Sequence, residues 1–196
     1  MIRKREKMSK KCCFIGHRKL QVTEGLIKKL DGCLQGLIDN GVRIFLFGSK
    51  SQFDSLCHER VTKFKERYPD IKRIAYTCKS EYACNKSEAE EMEKFLQKAM
   101  NRKIKIEDYD GEEQSERINR AGKASYVERN EDMINASDYC VFYYNAYYLP
   151  PKRKESKASV SEYQPPSGTS LALDYALQRK RAGKNLTIIN LYEDKE

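Results

Sequence analysis

Two features that would place a sequence in the membrane or export classes are missing from this chain. No apolar run approaches the roughly 18 residues that a membrane-spanning helix needs. The basic start at residues 3–11 precedes only a short apolar segment at residues 12–15, which is too short for the core of a signal peptide. We therefore expect a cytoplasmic chain that does not enter a membrane.

Disulfide bridges and zinc sites also have little support. The seven cysteines are an odd number, no Cys-x-x-Cys occurs, and His17 and His58 are the only histidines in the sequence. The spacing between Cys78 and Cys84 is wider than zinc ligands usually show. We therefore expect the cysteines to be thiols, most of them serving as small apolar residues, and we expect no metal and no cofactor.

A chain of 196 residues is long enough for one domain with a real core, and its net charge is +9. Such a balance suits a nucleic-acid binder, a phosphate-binding cleft or merely a solvated surface. The positive residues are scattered over residues 3–11, 152–157 and 179–184, and acidic segments separate them. A nucleic-acid platform is thus an alternative that we do not favour.

Short apolar runs predict five strands, at residues 12–16, 43–47, 72–78, within 138–144, and at 186–191. Between the strands, apolar residues recur at helical spacing. A first helix follows the first strand, and further helices begin near Ser51, Ser87, Ser125 and residue 171. The alternation of strands and helices predicts a mostly parallel sheet with right-handed crossovers. We expect a basic tail at 1–11 and one domain at 12–196, with a loop-rich excursion at 101–122 and a long loop at 145–166.

Ligands of such sheets bind beyond the carboxyl ends of the strands, and three loops there carry suggestive residues. Each of them combines glycine with hydroxyl or cationic side chains that suit a phosphate, although ordinary helix capping explains several of them equally well. The three candidate groups are Gly16, His17 and Arg18; Gly48, Ser49, Lys50, Ser51 and Asp54; and Ser167, Gly168 and Thr169.

One helix adds a polar residue to an apolar stripe. Asn130 lies between Tyr126 and Ile134 at helical spacing, so it must find a partner, either in a loop or in a ligand. Arg129 beside it reaches the same cleft or points to solvent. Four tyrosines, at positions 143, 144, 147 and 148, provide either core packing or a surface on which bases stack.

Four segments in this order resemble the SLOG superfamily, and most closely its YpsA-like branch. They are Cys-Cys-Phe-Ile-Gly-His-Arg at 12–18, the turn at 48–54, Glu-Arg-Asn-x-x-Met-Ile-Asn-x-Ser-Asp at 128–138 and Ser-Gly-Thr at 167–169. The resemblance implies a Rossmann-like α/β three-layer sandwich with strand order 3-2-1-4-5. It also implies a nucleotide-derived ligand, since relatives include DNA-processing DprA proteins, Lonely Guy phosphoribohydrolases and sensors of nucleotide signals. The resemblance implies self-association as well.

The chain departs from the hydrolase members of that superfamily. When Gly168 and Thr169 are aligned with their glycine-rich motif, Leu171 and Ala172 stand where the hydrolases carry glutamates. We therefore favour a protein that binds a nucleotide or ADP-ribose-type phosphate ligand, as a sensor or by sequestering it, over an enzyme. A phosphoribohydrolase or N-glycosidase is the first alternative and a DprA-like binder of single-stranded DNA is the second.

Overall fold

The computed structural model describes residues 9–48, 51–77, 108–115, 123–148 and 167–192. Six strands and four helices lie in these ranges. The strands are β1 (Lys10–Gly16), β2 (Val42–Phe47), β3 (Lys72–Thr77), β4 (Gly111–Gln114), β5 (Tyr139–Tyr143) and β6 (Thr187–Asn190). The helices are α1 (Glu24–Asp39), α2 (Gln52–Arg67), α3 (Lys123–Ala136) and α4 (Gly168–Arg181).

The strands form one sheet in the order β4-β3-β2-β1-β5-β6, and every neighbouring pair is parallel. The prediction of a Rossmann-like α/β sandwich is confirmed, and the five predicted strands have the predicted order. The predicted number of strands is wrong by one, because β4 extends the sheet beyond β3. The predicted helix near Ser87 lies outside the described residues.

Two segments that were predicted without strands contain strand residues. The excursion at 101–122 contains β4, whose sequence Gly-Glu-Glu-Gln has neither alternation nor strand-forming residues and therefore gave no local signal. The tail predicted at 1–11 overlaps β1, which begins at Lys10 because that residue pairs with Val42 at the start of β2. In both cases pairing with a neighbouring strand, rather than the local sequence, decides the boundary.

The alternation of side chains in β1 divides the core into two layers. Cys12 and Phe14 pack with α1 and α2 on one face of the sheet, and Cys13 and Ile15 pack with α3 and α4 on the other. The crossovers from β1 and those that flank β5 therefore lie on opposite faces. The point between the carboxyl ends of β1 and β5 is thus the topological switch point, where ligands of open parallel sheets bind.

The helix α4 is less buried than expected. The apolar run at residues 171–177 predicted burial on nearly all sides, but the buried residues of α4 are Thr169, Ala172 and Ala176. Leu177 is 37% exposed. Small residues of α4 face the sheet, and its larger Leu173 and Tyr175 pack against the same apolar layer while remaining only partly buried. None of the helices within the described ranges is long and apolar enough to cross a membrane.

Asp110 attaches the edge strand β4 to the sheet. Its backbone N–H donates to the Arg73 carbonyl, and its carboxylate accepts hydrogen bonds from the Arg73 backbone N–H at 2.8 Å, the Arg73 side chain and the Lys65 ammonium. Burial opposes ionisation of Asp110, but the hydrogen bonds from Arg73 and Lys65 outweigh it and hold the pKa of the carboxyl well below its usual value.

Replacing Asp110 by Asn should therefore lower the free energy of unfolding by about 1 to 2 kcal/mol near neutral pH. A carboxyl with a depressed pKa stabilises the fold above its ordinary pKa, and this stabilisation is lost as the pH falls toward the folded value. Denaturant titration at several pH values measures the effect. Asp70→Asn is the matched control, because Asp70 also pairs with an arginine but is largely exposed. An equal effect of both substitutions would contradict the anchoring role.

Candidate functional site

Two of the three predicted loops lie together at the carboxyl ends of the strands, which we call the carboxyl edge of the sheet. Gly16 pairs with Tyr143 across β1 and β5, and the His17 N–H donates to the Tyr143 carbonyl at 3.3 Å. The helix α2 begins beside this point, because its Gln52 N–H donates to the Arg18 carbonyl. The residues after β1 and the start of α2 thus form one connected wall of the switch point.

Gly16 has a packing role that its sequence context did not reveal. A Cβ atom at this position would lie 2.4 Å from the Phe53 ring and 2.7 Å from the Phe53 Cβ. Phe53 is fully buried, and its Cβ is fixed by the backbone of α2, so it cannot move aside. The sequence led us to expect that Gly16 admits a ligand; in the structure the close approach at Gly16 is made by Phe53.

His17 is buried, with 2% of its surface exposed. Its Nε2 lies 2.9 Å from the backbone N of Asn145 and 3.2 Å from the Asn145 carbonyl oxygen. The shorter contact comes from an N–H group, which can only donate, so Nε2 is the acceptor and the proton of the neutral ring is on Nδ1. The Nδ1 atom is buried and has no hydrogen-bond partner among the described residues.

The environment of His17 keeps its ring neutral. Burial lowers the pKa of His17 below its usual value, and the contact with the Asn145 carbonyl opposes this only in part. The sequence suggested two adjacent cations after β1, but at neutral pH Arg18 alone carries a charge there. The Arg18 side chain is exposed, at the rim of the switch point. His17 therefore holds a neutral, buried N–H, whereas Arg18 offers an exposed cation.

The start of α2 is largely closed by the protein itself. Ser51 caps the helix as predicted, since its Oγ accepts the Asp54 N–H at 3.1 Å, and the Gln52 N–H is used by Arg18. The Asp54 side chain is fully buried. The pKa of Tyr109 is raised mainly by the burial of Tyr109 itself, and the negative charge of Asp54 raises it further. Ser49 and Lys50 lie outside the described residues. Two of the first three backbone donors of α2 are thus occupied.

Gly48 brings α3 against the end of β2. A Cβ at Gly48 would lie 2.4 Å from the Met133 Sδ and 3.0 Å from the Arg129 Nε, and both of those side chains are buried. Arg129 also lies over the Tyr126 ring, with its Cζ 5.1 Å from the ring centroid. The predicted residues Gly48 and Arg129 are therefore in contact, and a buried guanidinium lies at the carboxyl edge of the sheet.

Asn130, the next residue, is 9% exposed. It lies on the inner side of α3, as its spacing predicted. The preceding residue, Arg129, contacts Gly48 at the end of β2, so this part of α3 lies at the carboxyl edge of the sheet.

The start of α4 is open, in contrast to that of α2. The Ser167 Oγ accepts the Ser170 N–H at 3.1 Å, which caps the helix. The N–H groups of Gly168 and Thr169 have no hydrogen-bond partner in the described part of the chain, and a Cβ built at Gly168 meets none of its atoms within 4 Å. Unpaired N–H groups and the helix dipole make such a start a seat for an anion.

Two residues of the site were missed in the sequence. Asn145 fixes His17, and Phe53 fills the space above Gly16. An asparagine directly after a strand is a turn signal, which could have indicated that Asn145 orders the backbone there. No local pattern identifies Phe53, because its role depends on the crossing of α2 over β1. Within the described residues, no group of three or more His, Cys, Asp or Glu could hold a metal ion.

The parallel sheet, with helices on both faces and its switch point between β1 and β5, defines a Rossmann-like fold. A family model described as the YspA SLOG family matches residues 15–168 of this chain. The chain therefore belongs to that family. The matched segment includes most of the described site, from the end of β1 to the start of α4. No curated protein matches the chain in a sequence search.

Substitution by Ala should lower the stability of the fold at Gly16 but not at Gly168. Gly16→Ala should lower the free energy of unfolding by about 1 to 3 kcal/mol, because the Cβ overlaps the immovable Phe53. Gly168→Ala should leave stability within about 0.5 kcal/mol of the wild type, since the Cβ enters open space. Denaturant unfolding of both variants measures this difference. Equal stability of the two variants would show that Phe53 does not rest on Gly16.

The neutral state of His17 predicts a pH dependence. A histidine whose folded pKa is lowered binds fewer protons in the fold than in the unfolded chain, so stability falls as the pH drops below about 6.5. The melting temperature of His17→Gln should fall less between pH 7.5 and 5.5 than that of the wild type, because the amide oxygen accepts the Asn145 N–H without titrating. Burial lowers the pKa of His58 as well, so His58→Gln serves as the comparison for the remaining slope. An unchanged slope in His17→Gln would contradict the assignment.

Proposed function

We propose that this protein binds a nucleotide-derived or ADP-ribose-type phosphate ligand at the carboxyl edge of β1 and β5, and that it senses or sequesters that ligand. The observation that carries the proposal is a set of hydrogen-bond donors without partners among the described residues, after β1 and at the start of α4. They are the buried His17 Nδ1 and the open N–H groups of Gly168 and Thr169. Buried polar groups are nearly always hydrogen-bonded and helix starts bind anions, so these donors support a bound ligand at the carboxyl edge of the sheet.

The chemistry of these groups favours an anion at one end of the ligand. Two adjacent backbone N–H groups at the start of a helix bind phosphate oxygens well, and the open space at Gly168 allows the close approach that they require. Arg129 supplies a buried positive charge at the same edge of the sheet, and Arg18 supplies an exposed one at its rim. Membership of the SLOG family supports a nucleotide-related ligand.

The same site offers little for cleavage of a glycosidic bond. Leu171 and Ala172 occupy the positions of the hydrolase glutamates, and Ala172 is buried in the apolar layer between α4 and the sheet. A carboxylate that stabilises positive charge or activates water would have to come from another element. The remaining candidates are Asp54, which is fully buried, and Glu128. These features support binding without turnover.

Substitution at Gly168 tests the phosphate seat. Gly168→Val should reduce the affinity for AMP and ADP-ribose at least about tenfold, because the side chain covers the two N–H groups and the loss of even one charge-assisted hydrogen bond has that effect. The melting temperature should not change. Isothermal titration calorimetry measures the affinity, and Gly168→Ala is the control because it adds one methyl group in open space.

Turnover is tested on the same samples. Stoichiometric protein incubated with nucleoside monophosphates, NAD and ADP-ribose should return intact ligand after denaturation. Multiple turnovers that disappear in Asp54→Asn or Glu128→Gln would replace the binding proposal with a hydrolase. Wild-type affinity in Gly168→Val would remove the start of α4 from the site.

A further inference from the structure

The segment after β5 is a tight turn fixed by side chains. The Tyr148 N–H donates to the Asn145 carbonyl at 3.1 Å, and the Tyr147 N–H donates to the Asn145 side-chain oxygen at 2.8 Å. The Asn145 N–H is bonded to the His17 Nε2. Three hydrogen bonds therefore hold four residues in one conformation, and the acceptor of one of these bonds is the ring of the buried His17.

The two tyrosines of this turn have different environments. The Tyr148 ring stacks on the His17 ring with a centroid distance of 3.9 Å and an interplanar angle of 18°, so Tyr148 continues the aromatic packing of the site. Tyr147 is 79% exposed, which makes it the most exposed of the large apolar side chains in the described ranges. The turn thus directs one ring into the protein and holds the other in solvent.

We propose that Tyr147 is the surface on which the aromatic base of the bound nucleotide stacks. This inference rests on the proposed function, and it adds a base-binding position to the phosphate seat at the start of α4. Single exposed apolar side chains are common, but this one stands on a backbone that three hydrogen bonds fix at the carboxyl edge of the sheet. A ring on a fixed turn loses little conformational entropy when a base covers it.

The surroundings favour a nucleobase over the other flat partners of an exposed tyrosine. A nucleotide presents a phosphate at one end and an aromatic ring at the other, and this edge of the sheet carries an anion seat, two arginines and an exposed ring. Stacking on tyrosine accepts any base, because every base has a π-face. The structure therefore assigns Tyr147 a role in recognising that a base is present, not in choosing which one.

The experiment compares AMP with ribose 5-phosphate, which lacks the base, in calorimetric titrations of the full chain. Tyr147→Ala should weaken AMP binding on the order of tenfold and leave ribose 5-phosphate unchanged, since stacking contributes about 1 to 3 kcal/mol per base. Tyr147→Phe should bind AMP as the wild type does, and Tyr147→Leu should resemble Tyr147→Ala. Leu177→Ala, at a partly exposed position of α4, is the control for loss of surface apolar area.

Fluorescence of etheno-AMP gives a direct reading of stacking. The wild type and Tyr147→Phe should quench the probe, and Tyr147→Ala should not. Unchanged AMP affinity in Tyr147→Ala, or equal weakening of AMP and ribose 5-phosphate, would overturn the base position while leaving the phosphate seat in place. If the wild type bound neither compound, both this inference and the proposed function would be overturned.

Discussion

The hydrogen bond between His17 and Asn145 is the contact on which the rest of the site depends. It joins the residue that follows β1 to the residue two positions beyond the end of β5. Because Nε2 accepts the Asn145 N–H, the imidazole is neutral, its proton is on Nδ1, and its ring orientation is fixed. The same bond positions the turn that carries Tyr147 and Tyr148. One contact thus determines the position of the His17 proton and the local shape of the backbone after β5.

The two helix starts show why a capping motif does not identify a ligand site. Ser51 and Ser167 cap α2 and α4 in the same way, each accepting the N–H three residues later. The difference lies in tertiary contacts: the Arg18 carbonyl takes the first N–H of α2, whereas no described group takes the first N–H groups of α4. Local sequence predicts the cap, but the arrangement of neighbouring loops decides whether the remaining donors are available to an anion.

The sequence predicted the fold better than the details of the site. Strands such as β1 and β5 are short apolar runs that end at glycine or tyrosine, and their crossovers imply a parallel sheet, so five strands were predictable. The strand β4 was not, because its glutamates follow no pattern and Asp110 anchors it through residues far away in the chain. The roles of Gly16 and Gly48 were also hidden. Each accommodates a side chain from a helix that crosses it, which is information about packing and not about the glycine itself.

The polar groups at the switch point also connect function with stability. Each buried donor that lacks a partner costs the folded protein about 1 to 3 kcal/mol relative to a paired one. The apolar layers on both faces of β1, built from residues such as Phe14 and Ile15, provide the surplus that allows the fold to bear this cost. In the proposed site, a ligand that paired with the buried His17 Nδ1 would remove this cost, which would couple ligand binding to fold stability. His17 directly follows β1, the strand whose side chains contribute to both apolar layers, so the core lies next to this group.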